Sequence, residues 1–116
     1  MAKDNIIVTK SYEFALEIVS LFSHLQQEKK EFILSKQILR SGTSIGANVE
    51  EATAAISKKE FIMKLQISYK EARETKYWLK LLRDSNILDE NIANKTIENC
   101  DEVIRILNAI IQSTKN

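Results

Sequence analysis

The chain has 116 residues, 44% apolar and 28% charged, with a formal net charge of +1, no proline, two glycines, one cysteine and one histidine. This is one domain spanning residues 1–116, large enough to bury a core without metal or disulfide staples, and its lone Cys100 and lone His24 exclude an internal disulfide and a Cys/His metal cluster. The early apolar run Ile6-Ile7-Val8 is too short for a secretory leader and nothing later reaches transmembrane length, so a cytoplasmic protein with no membrane partner is expected.

Apolar residues recur in alternating steps of three and four, which predicts four helices. The first covers residues 6–27, where Ile7, Phe14, Ile18, Leu21 and Leu25 share a face widened by Ala15, Val19 and Phe22. The second covers 31–56, with Leu34, Ile38, Ser41, Ile45, Asn48, Ala52 and Ala55 as its seam. Both glycines fall inside it, at Gly42 and Gly46. Each costs a helix interior about 1 kcal/mol relative to alanine, so close packing of another helix or a kink is the expected return. A phosphate-cradling loop is rejected, because no strand precedes the glycines and no Gly-Lys-Ser/Thr ending follows them.

The third helix covers 58–84 and opens with Ser57-Lys58-Lys59-Glu60, a capping box in which a hydroxyl and a carboxylate satisfy the first orphan amides. Its seam is Phe61, Leu65, Ser68, Ala72, Thr75, Leu79 and Leu82. A second apolar stripe, Met63, Ile67, Tyr77, Trp78 and Leu81, lies away from that seam and predicts self-association. The fourth helix covers 90–114 behind an Asp89 cap, with Ala93, Ile97, Cys100, Ile104, Leu107, Ile111 and Thr114 in line. Short connections make successive helices antiparallel neighbours, so the expected fold is all-α, an up-down-up-down antiparallel four-helix bundle.

Charge is unevenly spread. Over residues 58–83 eight Lys and Arg oppose three Glu, a surplus of five, whereas the chain from Asp84 onward is acidic by three. Tyr69, Arg73, Lys76, Lys80 and Arg83 recur at helical spacing and form one ridge, suited to following a phosphate backbone while Tyr69 offers a ring for stacking. The competing reading is a solvated face paired to its acidic neighbour. A polar group near the second and third seams, Arg40, Ser44, Asn48, Glu51 and Glu74, is expected to be a structural hydrogen-bond cluster, because a seam asparagine must find partners and commonly fixes register.

No enzyme class has its residues here. A ferritin-like di-iron bundle needs inward Glu-x-x-His pairs, and His24 has no such setting. Cys100 lies between Ile97 and Ile104, where a thiol acts as a small hydrophobe. No catalytic residue, metal ligand or cofactor is expected.

The run Ser44-Ile45-Gly46-Ala47-Asn48-Val49-Glu50-Glu51-Ala52, followed by Lys59-Glu60-Phe61, Leu65, Glu74 and Trp78-Leu79, resembles the small bacterial four helix bundle protein family, also called the 23S rRNA intervening-sequence protein family. That family's second-helix pattern is approximately Ser-Ile-Pro-Ser-Asn-Ile-Ala-Glu-Gly, matched here by Ser44, Ile45, Asn48 and Glu51. Gly46 stands where many members have proline and Ala52 where many have glycine, so a helix-loosening residue is kept at 46, which favours a bend there. The resemblance implies a homopentamer with a central channel. The family takes its name from reading frames within insertions in bacterial large-subunit rRNA genes, and a gene's location is not a biochemical activity. A related branch, the accessory variability proteins of diversity-generating retroelements, is similar in fold and implies a basic surface that engages nucleic acid and a reverse transcriptase.

Two functions are therefore expected in competition. One is a non-enzymatic oligomer that binds structured RNA or an RNA-protein assembly through the basic third helix. The other is a structural or adaptor oligomer whose partner is a protein.

Overall fold

The computed structural model describes the chain from Ala2 to Asn116, with side chains from Ile6 onward. Four helices form: α1 (Ala2–Gln27), α2 (Leu34–Thr53), α3 (Lys58–Asp84) and α4 (Glu90–Lys115). Among the described residues each consecutive pair packs together and α4 closes on α1, least extensively of the four pairings, while α1 with α3 and α2 with α4 do not pack. The result is a four-helix bundle, a rod of 44 × 19 × 19 Å, as helices of 20 to 27 residues rising 1.5 Å per residue require.

Local chemistry sets the helix ends. α2 is shorter than the expected 31–56 at both ends. At its start Glu31 stays outside the helix, its carboxylate accepting from the amides of Ile33, Leu34 and Ser35 at 3.3, 3.0 and 2.7 Å. A side chain caps amides only from beyond the first turn, so the helix cannot begin at 31. At its end the chain must become extended to let Ser57 cap α3, and Ser57 has φ −150° and ψ 158°. Its hydroxyl accepts from the Glu60 amide at 3.1 Å, while the Glu60 carboxylate accepts from the Ile56 amide at 3.1 Å, one residue earlier than in the usual capping box. α3 stops in a Schellman motif: Asn86 is left-handed at φ 63°, its amide donates to the Arg83 carbonyl and that of Ile87 to the Leu82 carbonyl. Asp89 then caps α4 by accepting from Asn91 and Ile92.

The core runs the length of the rod through Ile18 and Leu25 of α1, Ile38 and Ile45 of α2, Leu65, Leu79 and Leu82 of α3, and Leu107 of α4, all essentially inaccessible. Polar seam residues are buried with partners. The Ser68 hydroxyl donates to the Ile45 carbonyl at 2.8 Å, and the Thr75 and Ser41 hydroxyls lie 2.9 Å apart. Both tie α3 to α2, because a small hydroxyl-bearing side chain lets two helix backbones approach closely. At Asn48 the spacing is off by one. Val49 takes the core position and Asn48 is only half-buried, donating at 2.9 Å to the carbonyl of Ser44 and at 3.1 Å to its hydroxyl.

Candidate nucleic-acid interface

α3 presents its ridge on the side that turns toward α4. Arg73 and Lys80 project into solvent, whereas the other three ridge residues are engaged. The Lys76 ammonium sits 2.9 Å from Asp101. Arg83 donates from Nε to Asp84 at 2.8 Å and from Nη1 to Asn94 at 2.9 Å. Each member of the Arg83–Asp84 pair favours the other's charge, so the Asp84 carboxyl is held below its ordinary range. Tyr69 is half-buried against the core, which leaves only part of its ring for a stacked base.

Counting partners along the whole helix changes the picture. All four α3 carboxylates are occupied: Glu60 at the α3 cap, Glu71 and Glu74 by the Arg40 guanidinium, and Asp84 by Arg83. Of the eight cations, Lys64 pairs with Glu51 at 2.7 Å, Lys76 with Asp101 and Arg83 with Asp84. The remaining five, Lys58, Lys59, Lys70, Arg73 and Lys80, are exposed and have no ion pair among the described residues. The positive field of α3 is thus carried by groups that no ion pair among the described residues neutralises.

The polar group around Asn48 separates into three. Arg40 bridges Glu71 at 3.0 Å and Glu74, and Glu74 also accepts from the Trp78 indole at 3.0 Å, which tethers α2 to α3. Asn48 bonds back to Ser44 on its own helix and reaches neither Arg40 nor a carboxylate, since at one step off the seam it faces along α2. Glu51 turns away to Lys64, whose ammonium is thereby held more basic than usual. The expected single cluster is corrected to three local contacts.

The glycines serve close packing. A β-carbon at Gly42 would stand 2.8 Å from both γ-carbons of Ile18, and one at Gly46 would stand 3.3 Å from the Ser11 carbonyl oxygen. α2 runs unbroken through both.

A model of the 23S rRNA-intervening sequence protein family matches residues 3–109. The chain belongs to this family. The crystal structure at 1.70 Å of a protein with unknown function from the S23 ribosomal protein family of Bacteroides thetaiotaomicron VPI-5482 is 48% identical in sequence. The match covers 95% of this chain and 98% of that one, with a TM-score of 0.93. No curated protein matches significantly.

In this family member the one cysteine is a core residue. The Cys100 thiol is fully buried, donates to the Ala72 carbonyl at 3.3 Å and is pushed up to about 12 by burial. A thiol so protonated is no nucleophile at neutral pH. Among the described residues no group of three His, Cys, Asp or Glu could hold a metal. An open groove of about 560 Å³ between α1 and α4, reached by His24, Glu17 and Lys95, is mainly apolar. No helix in the described residues is long and apolar enough to cross a membrane. Lys58, Lys59 and Lys70 are the exposed, unpaired α3 cations that spacing along the ridge missed; the signal that could have found them is the surplus of cations over the whole helix.

Proposed function

We propose that this protein is a non-enzymatic, self-associating helical bundle that binds nucleic acid, structured RNA or an RNA-protein assembly, through the basic surface of α3. Arg73 and Lys80 supply the central phosphate contacts. The observation that carries this reading is the set of five exposed α3 cations with no acidic partner among the described residues, in a chain whose overall charge is only +1. Unpaired cations displace counterions from a phosphate backbone, whereas paired ones must first break a bond within the protein.

An up-down-up-down course and a homopentameric assembly belong to the same reading. The first is supported by contacts in which rising residue numbers on one helix meet falling numbers on the next, as Ser11 with Gly46 and Ile18 with Gly42. The self-association that the second requires is supported by Met63, Ile67, Tyr77 and Leu81, which remain exposed on α3. Trp78, counted in the same stripe by spacing, is half-buried instead, held by Glu74.

The test is light scattering after size exclusion, with and without a pool of structured RNA, at low and physiological salt. A multi-chain particle that gains mass with RNA and releases it as salt rises supports the reading. A particle indifferent to RNA at low salt rejects it in favour of a protein-binding adaptor.

A further inference from the structure

α1 and α3 occupy opposite corners of the bundle: each packs on α2 and α4, and among the described residues neither touches the other. Both expose large apolar side chains on the side away from the core. On α1 these are Ile6, Tyr12, Leu16 and Val19, exposed by 50%, 64%, 55% and 46%. On α3 they are Met63, Ile67, Tyr77 and Leu81. A two-fold contact would bury one of these faces against itself and leave the other in water. Seating α1 of one copy on α3 of the next covers both.

The charges favour that pairing over like on like. Between Lys10 and Lys29, α1 and the start of its following turn carry Glu13, Glu17 and Glu28 and neither Lys nor Arg, opposite in sign to α3. Glu17 is already held by the Asn99 amide at 2.9 and 3.2 Å. Glu13 is exposed one turn before Leu16 and has no ion pair among the described residues. In the α3 stripe Lys70 lies one turn after Ile67, likewise exposed and unpaired. Placing α3 on α3 would crowd unpaired cations together in a drying interface, at a cost that a facing carboxylate removes. Arg73 and Lys80 share the α4-facing flank with Lys76 and Arg83, beside this stripe, and stay open to phosphate.

We propose that the chain assembles head to tail, the outer face of α1 in one copy seated on the outer face of α3 in the next, with Glu13 facing the next copy's Lys70. This rests on the self-association part of the proposed function and assigns its two faces.

Leu16→Glu and Ile67→Glu each spoil one face at an exposed position, so circular dichroism should show both folded. By light scattering each variant alone should be a monomer. Their equimolar mixture should form a particle of two chains and no larger, since one intact α1 face and one intact α3 face remain between them. In an otherwise unchanged chain, Glu13→Lys should weaken assembly at least tenfold and Glu13→Lys with Lys70→Glu should restore it. Assembly that survives either Leu16→Glu or Ile67→Glu alone, or a mixture that stays monomeric, overturns the head-to-tail arrangement while leaving RNA binding standing. A monomeric unmodified protein overturns this inference and the assembly reading together.

Discussion

Gly42 of α2 lies so close to Ile18 of α1 that a β-carbon there would meet both γ-carbons of Ile18 at 2.8 Å. Ile18 is fully buried and β-branched, with one favoured rotamer in a helix, so it cannot swing aside. The glycine is therefore the condition for the α1–α2 distance.

Gly42→Ala should destabilise the fold by about 1–3 kcal/mol through overpacking, even though alanine is the better helix former. Gly46→Ala, facing the Ser11 carbonyl at 3.3 Å, should cost less. Urea denaturation of both variants checks the order, and Gly42→Ala with Ile18→Ala should fall short of the sum of the single effects.

Arg73→Glu with Lys80→Glu should lower RNA affinity at least tenfold and reduce the slope of log affinity against log salt by about two. Lys76→Met should do far less, because Asp101 already holds that ammonium at 2.9 Å. Fluorescence titrations at several salt concentrations separate the two, and equal losses would show that the paired cations are contacts as well.

Cys100 supplies a pH dependence whose sign is fixed. Folding raises its thiol to about 12 from an ordinary value of 9.0, so above pH 9 the unfolded chain releases this proton first. The stabilisation is whole below about pH 9 and is lost as pH climbs toward 12, at no more than about 1.4 kcal/mol per pH unit. Cys100→Ala should flatten that limb of a stability-against-pH curve. A thiol reagent at pH 8 should leave the native protein unmodified and label it at once in denaturant.

Asn48→Ala should cost under about 1 kcal/mol, since the amide only bonds back within its own helix. Ile45→Ala, which empties a fully buried site one turn earlier, should cost about 2–5 kcal/mol. Chemical denaturation compares them directly, and a loss at Asn48 matching that at Ile45 would restore to Asn48 the register-fixing role that a seam position implied.

How much was legible in the sequence follows from how local each cause is. Steps of three and four, the Ser57 and Asp89 caps and the short connections act within one or two turns, so the four helices, and most of their buried faces, could be read from the order of residues alone. The motif around Ser44, Ile45, Asn48 and Glu51 likewise pointed to the family. Where α2 stops was decided by caps on its neighbours' terms, through Glu31 and Ser57. Whether Asn48 or Val49 enters the core depended on the roll of α2 against α1, set by what Gly42 and Gly46 allow to approach. Above all, helical spacing put Lys76 and Arg83 on one ridge with Arg73 and Lys80; Arg83 meets Asp84, its neighbour in sequence, but the partners from α4 come only from packing. Asp101 and Asn94 lie 25 and 11 residues further along the chain and reach α3 because α4 folds back beside it. A charge pattern along one helix is a property of sequence; which of those charges is left unpaired is a property of the neighbouring helix, and therefore of the tertiary structure.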